Sequence, residues 1–215
     1  MPKYPELEIP ARELAETPEV IVNFPDIVNA VVPGVDKVVE LGIADPERLG
    51  VMGHSFGGYS VAALITQTTR FRAAVTSAGV SDLISVYGQM GRDGDAFGVG
   101  WCEEGQILLG GPPWEFTLRY FENSPILHLD RVRTPVLIVH GALDETVPVA
   151  QADELFVGLR RLGKEAVYAR YEGEGHWQGT WGHANAVDYW DRVLGWFDEH
   201  IGPGGASRGK GVEAR

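Results

Sequence analysis

The stretch Thr134-Pro135-Val136-Leu137-Ile138-Val139-His140 constrains this chain more than any other. Its apolar residues run on without alternation. A strand with one wet face alternates apolar and polar, so an unbroken apolar run needs cover on both faces. That is the situation of a strand inside a parallel sheet, with helices packed above and below. The rest of the pattern supplies both strands and helices. Arg48–Gly53, Phe71–Ser77 and Ala166–Tyr171 read as further short strands. Phe56–Gln67, Trp114–Glu122, Val149–Leu162 and a stripe of Val187, Trp190, Leu194, Phe197 and Ile201 read as helices. Asp26–Leu41 also has helical spacing, with Pro33 expected to kink it or to begin its second part. Strand and helix alternate, which predicts a doubly wound α/β sheet.

The chain of 215 residues is long enough for one such domain. Residues 1–25 carry many acidic residues and prolines and little periodicity, and are expected to form an arm. Residues 26–201 would be the folded domain, and the glycine-rich residues 202–215 a disordered tail. A net charge of −12 argues against nucleic-acid and anionic-membrane surfaces. No apolar run approaches the length of a membrane span, and the N-terminus lacks the basic and apolar regions of a secretory signal. The single cysteine, Cys102, fits a reducing compartment, so a cytoplasmic location is expected. Glycine is the outlier, 28 of 215 residues, about 13% against a usual ~7%. Much of it falls in Gly79–Pro113, a long excursion expected to be irregular and functional.

Some of that glycine has a chemical explanation. Gly53-His54-Ser55-Phe56-Gly57 matches G-x-S-x-G and lies between an expected strand and an expected helix. A serine hydroxyl is a weak nucleophile unless it is exposed, aimed and paired with a base. A sharp strand-to-helix turn lifts Ser55 above the sheet edge. The crowding there is expected to exclude side chains at Gly53 and Gly57, and the Phe56 amide would face a developing oxyanion.

A nucleophilic serine needs a base and an acid. In α/β-hydrolases they follow in the order Ser, Asp, His. Asp144 follows the buried strand directly, and His176 follows the next strand in Glu172-Gly173-Glu174-Gly175-His176. The C-terminal ends of parallel strands share one sheet edge, so Ser55, Asp144 and His176 would meet there. Asp82, after the strand that follows the elbow, competes for the acid's role. Asp153, Asp188, Asp191 and Asp198 read as a solvated face, and His128, His140, His183 and His200 as parts of the fold. His54, Tyr59, Tyr87, Trp101 and Trp177 are candidates for a substrate pocket, with a core role the competing reading for the aromatics. No metal site is expected, since H-E-x-x-H and Cys/His clusters are missing; no nucleotide loop or other cofactor motif is present either.

Several segments together resemble the prolyl oligopeptidase family of serine peptidases. They are Asp45-Pro46-Glu47-Arg48-Leu49-Gly50 through Tyr59, Asn123-Ser124-Pro125, Thr134 through Pro148, and Leu162-Gly163-Lys164-Glu165 through His176. The nearest likeness is to the dipeptidyl- and acylaminoacyl-peptidase branches. The resemblance implies an α/β-hydrolase-type, mostly parallel sheet, with Ser55, Asp144 and His176 as the triad. It implies cleavage of peptide or small ester bonds through an acyl-enzyme on Ser55. The family's catalytic domain has several strands before the elbow, and here only about 50 residues precede it. The early strands are therefore expected to be missing or reduced, and no His-Gly-Gly motif offers a second oxyanion donor. A carboxylesterase or lactone hydrolase on the same fold is the alternative. A further one is an impaired fragment that forms a homo-oligomer through an open sheet edge.

Overall fold

A computed structural model describes residues 24–91 and 94–203 of the chain. Its sheet has four strands in the order β1-β2-β3-β4, all parallel: β1 (Gly50–His54), β2 (Ala73–Ser77), β3 (Val136–Gly141) and β4 (Ala166–Tyr171). The inner strands β2 and β3 are buried at every residue, as the unbroken apolar run demands. The outer strands β1 and β4 carry exposed positions.

The helices are α1 (Phe24–Glu40), α2 (Phe56–Gln67), α3 (Leu83–Tyr87), α4 (Phe97–Glu103), α5 (Thr117–Glu122), α6 (Ala150–Arg161) and α7 (His183–Ile201). Short 3-10 turns occupy Pro125–Arg131 and Gln178–Thr180. Alternate strand residues face opposite layers. Ala74, Val136, Ile138 and Ala166 pack under Val61 and Ile65 of α2 and Leu155 and Leu159 of α6. Ala73, Val75, Leu137, Val139 and Ala169 pack under Tyr189, Val193 and Trp196 of α7. A third cluster joins α1 and α2 to the excursion through Phe24, Ile27, Tyr59, Leu83, Trp101 and Tyr120.

Three expectations need correction. Helix α1 runs through Pro33 as one element and begins at Phe24, inside the expected arm; residues 1–23 and 204–215, the rest of the expected arm and tail, lie outside the described residues. The excursion is not simply irregular. It contains α3 and α4, and Leu83, Val86, Trp101 and Cys102 anchor them in the core. The helix expected at Trp114 begins at Thr117. Elsewhere the expected bounds coincide, as at Phe56–Gln67 and Ala166–Tyr171, or shift by one or two residues, the usual fraying of such boundaries.

Candidate active site

Strand β1 ends at His54 and helix α2 begins at Phe56, so the whole turn between them is Ser55. Ser55 has φ 58 and ψ −121, a left-sided backbone that costs a residue with a Cβ about 1–3 kcal/mol. The turn is held from below by Ser55 N–H donating to the Ser77 carbonyl at 2.9 Å. A Cβ on Gly53 would lie 2.2 Å from the Gly57 carbonyl oxygen, so Gly53 must be bare. Gly57 need not be, because a Cβ there meets nothing within 4 Å. That expectation is overturned. The second obligatory glycine is Gly58, whose Cβ would lie 2.7 Å from the Ser77 carbonyl and 2.8 Å from Gly79 Cα. The Phe56 N–H belongs to the first helical turn, whose amides have no intrahelical acceptor.

The acid arrives from the end of β3. Asp144 has a fully buried side chain. Its Oδ1 accepts from the Thr146 and Val147 amides at 2.9 and 2.8 Å. Its Oδ2 accepts from His176 Nδ1 at 2.7 Å. The base arrives from the loop after β4, and His176 Nε2 lies 2.9 Å from Ser55 Oγ. Residues 55, 144 and 176 thus form one hydrogen-bonded line across three strand ends. Burial pushes the Asp144 carboxyl up, and hydrogen bonds from His140 and His176 more than offset it. The carboxyl therefore stays well below the ordinary carboxylate range.

The loops carrying the acid and the base lie directly against each other. A Cβ on Gly141 would come within 2.4 Å of the Glu174 and Gly175 carbonyls, and Leu143 N–H donates to the Glu174 carbonyl at 2.8 Å. Glu174 is itself buried, and its Oε1 accepts from Gly182 N–H and from Asn185 Nδ2 at the start of α7. Trp181 Nε1 donates to the Gly175 carbonyl at 2.9 Å. None of these supports was visible beforehand, because each depends on which loop passes which.

The structure separates the remaining candidates. Asp82 caps α3, its Oδ1 accepting from the Ile84 and Ser85 amides, and that use explains an aspartate there. His54 packs against His176 at 4.7 Å between ring centroids and against Trp177 at 5.0 Å, while Trp177 meets His176 at 5.1 Å. Neither nitrogen of His54 has a partner, and burial, followed by the nearness of His176, lowers its pKa to about 4. Trp177 is 62% exposed beside His176. Tyr59 and Trp101 are core, not pocket wall. Tyr59 is fully buried with its hydroxyl donating to the Asn123 carbonyl, and Trp101 packs edge-on against Phe56 and Tyr59. Tyr87 donates to Glu103 within the excursion and packs on Trp114 and Tyr120 just beyond it. A cavity of about 300 Å³ lined by Phe24, Gln67, His128 and Arg131 shares no residue with the Ser55 site. Among the described residues no group of three His, Cys, Asp or Glu is arranged to hold a metal.

The prolyl oligopeptidase family profile matches residues 22–204. The chain belongs to the prolyl oligopeptidase family. It is 32% identical over 180 residues to the uncharacterized peptidase YuxL of Bacillus subtilis, covering 83% of this chain and 26% of that protein. Among solved structures, a Mycobacterium tuberculosis puromycin-hydrolyzing peptidase superposes with a TM-score of 0.71 at 31% identity, over 82% of this chain and 25% of that one. The Pyrococcus horikoshii acylaminoacyl peptidase superposes with a TM-score of 0.73 at 24% identity, over 88% and 29%, which speaks to the fold. The chain spans about a quarter of the length of these relatives.

Proposed function

We propose that residues 26–201 of this chain are the catalytic unit of a serine hydrolase of the prolyl oligopeptidase type, acting on peptide or small ester bonds. The observation that carries this is the line Ser55 Oγ, His176 Nε2, His176 Nδ1, Asp144 Oδ2, with contacts of 2.9 and 2.7 Å. Ser55 Oγ attacks the carbonyl carbon while His176 Nε2 takes its proton, and Asp144 stabilises the imidazolium. The tetrahedral oxygen accepts from the Phe56 N–H. On collapse the C–N or C–O bond breaks and His176 returns the proton to the leaving amine or alcohol. Water, activated by the same histidine, then releases the acid from Ser55. Trp177 and His54 would border the entry to this site.

A fluorophosphonate probe tests the reading. Wild-type protein should be labelled, and Ser55→Ala should abolish labelling without changing the circular dichroism. Folded wild-type protein that stays unlabelled would sink the proposal. Rates on a short ester and on an aminoacyl anilide divide esterase from peptidase: activity on esters with none on any anilide or peptide would favour the carboxylesterase alternative.

One observation favours a second reading, self-association. The outer edge of β1 pairs with no strand among the described residues. Met52 of β1 and Trp190 and Leu194 of α7 are 44%, 51% and 60% exposed. Their stripe continues into Phe197, which lies against Gly50 of the edge strand. An open edge with apolar cover suits a second copy pairing strand to strand. Light scattering behind size exclusion tests this, and a monomer at micromolar concentration counts against it. Among the described residues no helix is long and apolar enough to cross a membrane. Cys102, buried and unpaired, supports a reducing compartment, and we propose the cytoplasm.

A further inference from the structure

Behind the triad sits a second imidazole. His140 is the fifth residue of β3 and is 1% exposed. Its Nε2 lies 2.9 Å from the Val147 carbonyl oxygen and 3.1 Å from Asp144 Oδ2. Its Nδ1 is buried without a partner. A single N–H at Nε2 therefore serves two acceptors in a three-centre bond, a common arrangement. A proton on Nδ1 instead would be buried with no acceptor, at a cost, and would leave both acceptors without their donor.

Both oxygens of Asp144 depend on this ring. Oδ2 shares the Nε2–H directly. Oδ1 accepts from the Val147 N–H at 2.8 Å, and His140 grips the Val147 residue through its carbonyl. Removing the ring's donor frees the Asp144–Val147 turn and leaves Oδ2 to His176 alone. We propose that His140 is a positioning residue for the acid, holding the Asp144 carboxylate through a shared Nε2–H so that His176 is presented to Ser55. This deepens the reading of the Ser55 site and rests on it.

Two substitutions separate the donor from the shape. His140→Phe keeps a ring and loses the donor. His140→Gln places an amide N–H near the position of Nε2. With a chromogenic ester, kcat of His140→Phe should fall about tenfold, the worth of one hydrogen bond to a charged group, with KM little changed. His140→Gln should recover most of the loss. A His140→Phe enzyme with wild-type kcat overturns the proposal. So does equal damage in both variants, which would assign the ring to packing alone. Should His140→Phe fail to fold, ¹⁵N spectra of the wild-type histidines decide: a neutral His140 ring with its single proton on Nε2 supports the proposal, and a neutral ring with its proton on Nδ1 overturns it. Wild-type protein inert to both fluorophosphonate and ester removes the Ser55 reading itself, and the proposal with it. That outcome is distinct from an active wild type with an unaffected His140→Phe.

Discussion

Gly53, Gly57 and Gly58 are indistinguishable in the sequence, and the backbone treats them differently. Gly53→Ala should cost about 3 kcal/mol, because its Cβ meets backbone that cannot move aside. Gly58→Ala should cost a comparable amount against Ser77 and Gly79. Gly57→Ala should stay within about 1 kcal/mol of wild type or gain slightly from helix propensity. Thermal unfolding of the three variants checks the order, and a Gly57→Ala as unstable as Gly53→Ala refutes it. His54 supplies a pH dependence. Its proton is held near 6.5 in the unfolded chain and near 4 in the folded one. Between those values the unfolded state binds more protons, so stability tied to His54 is complete above about pH 6.5 and is lost as pH falls towards 4. Asp144, also depressed, extends the loss to lower pH. His54 is partly open to solvent, and screening reduces its contribution to about 1 kcal/mol. Urea unfolding at about pH 7 and pH 5 should show a smaller acid loss in His54→Phe than in wild type; equal losses would clear His54 of the effect. The meeting of Ser55, His176 and Asp144 was legible because G-x-S-x-G and strand ends are local signals. The partners of His140 were not, since an isolated histidine in an apolar strand looks like any core residue.

At the scale of elements, the two faces of α7 have different fates. Tyr189, Val193 and Trp196 are buried on the sheet, while Trp190 and Leu194 face outward and are exposed. Trp190→Glu with Leu194→Glu should leave the melting temperature nearly unchanged, since both side chains are largely exposed, and should abolish self-association in light scattering. Loss of folding would instead place them in the core, and unchanged association would move the contact elsewhere. The long helices were legible from apolar spacing, including the stripe that now proves partly exposed. Periodicity marks an apolar face without saying what covers it. The short helices α3 and α4 were not legible, because five to seven residues carry too little periodicity. Their stability comes from Leu83, Val86, Trp101 and Cys102 reaching the core, and from the cap that Asp82 gives α3.

For the molecule as a whole, charge and shape oppose each other at the open edge. Two copies would each bring a net charge of −12. Apolar, strand-to-strand association should therefore strengthen as salt rises from about 20 to about 300 mM, because screening removes the repulsion first. Sedimentation at the two concentrations reads this, and association that weakens with salt would mark an ionic contact at another surface. The parallel α/β plan and the meeting of Ser55, Asp144 and His176 follow from the amino-acid pattern alone. Buried strands can be recognised from their apolar runs, and parallel strands bring their C-terminal loops to one edge. Which glycines are obligatory, which aromatics are core and that His140 lies against Asp144 emerge from the packed fold. Those facts rest on close approaches between distant segments: Gly58 with Gly79, Gly141 with the Glu174–Gly175 loop, and Trp101 with Phe56. Such approaches are set by how layers pack, and no local pattern in the chain encodes the distance between them.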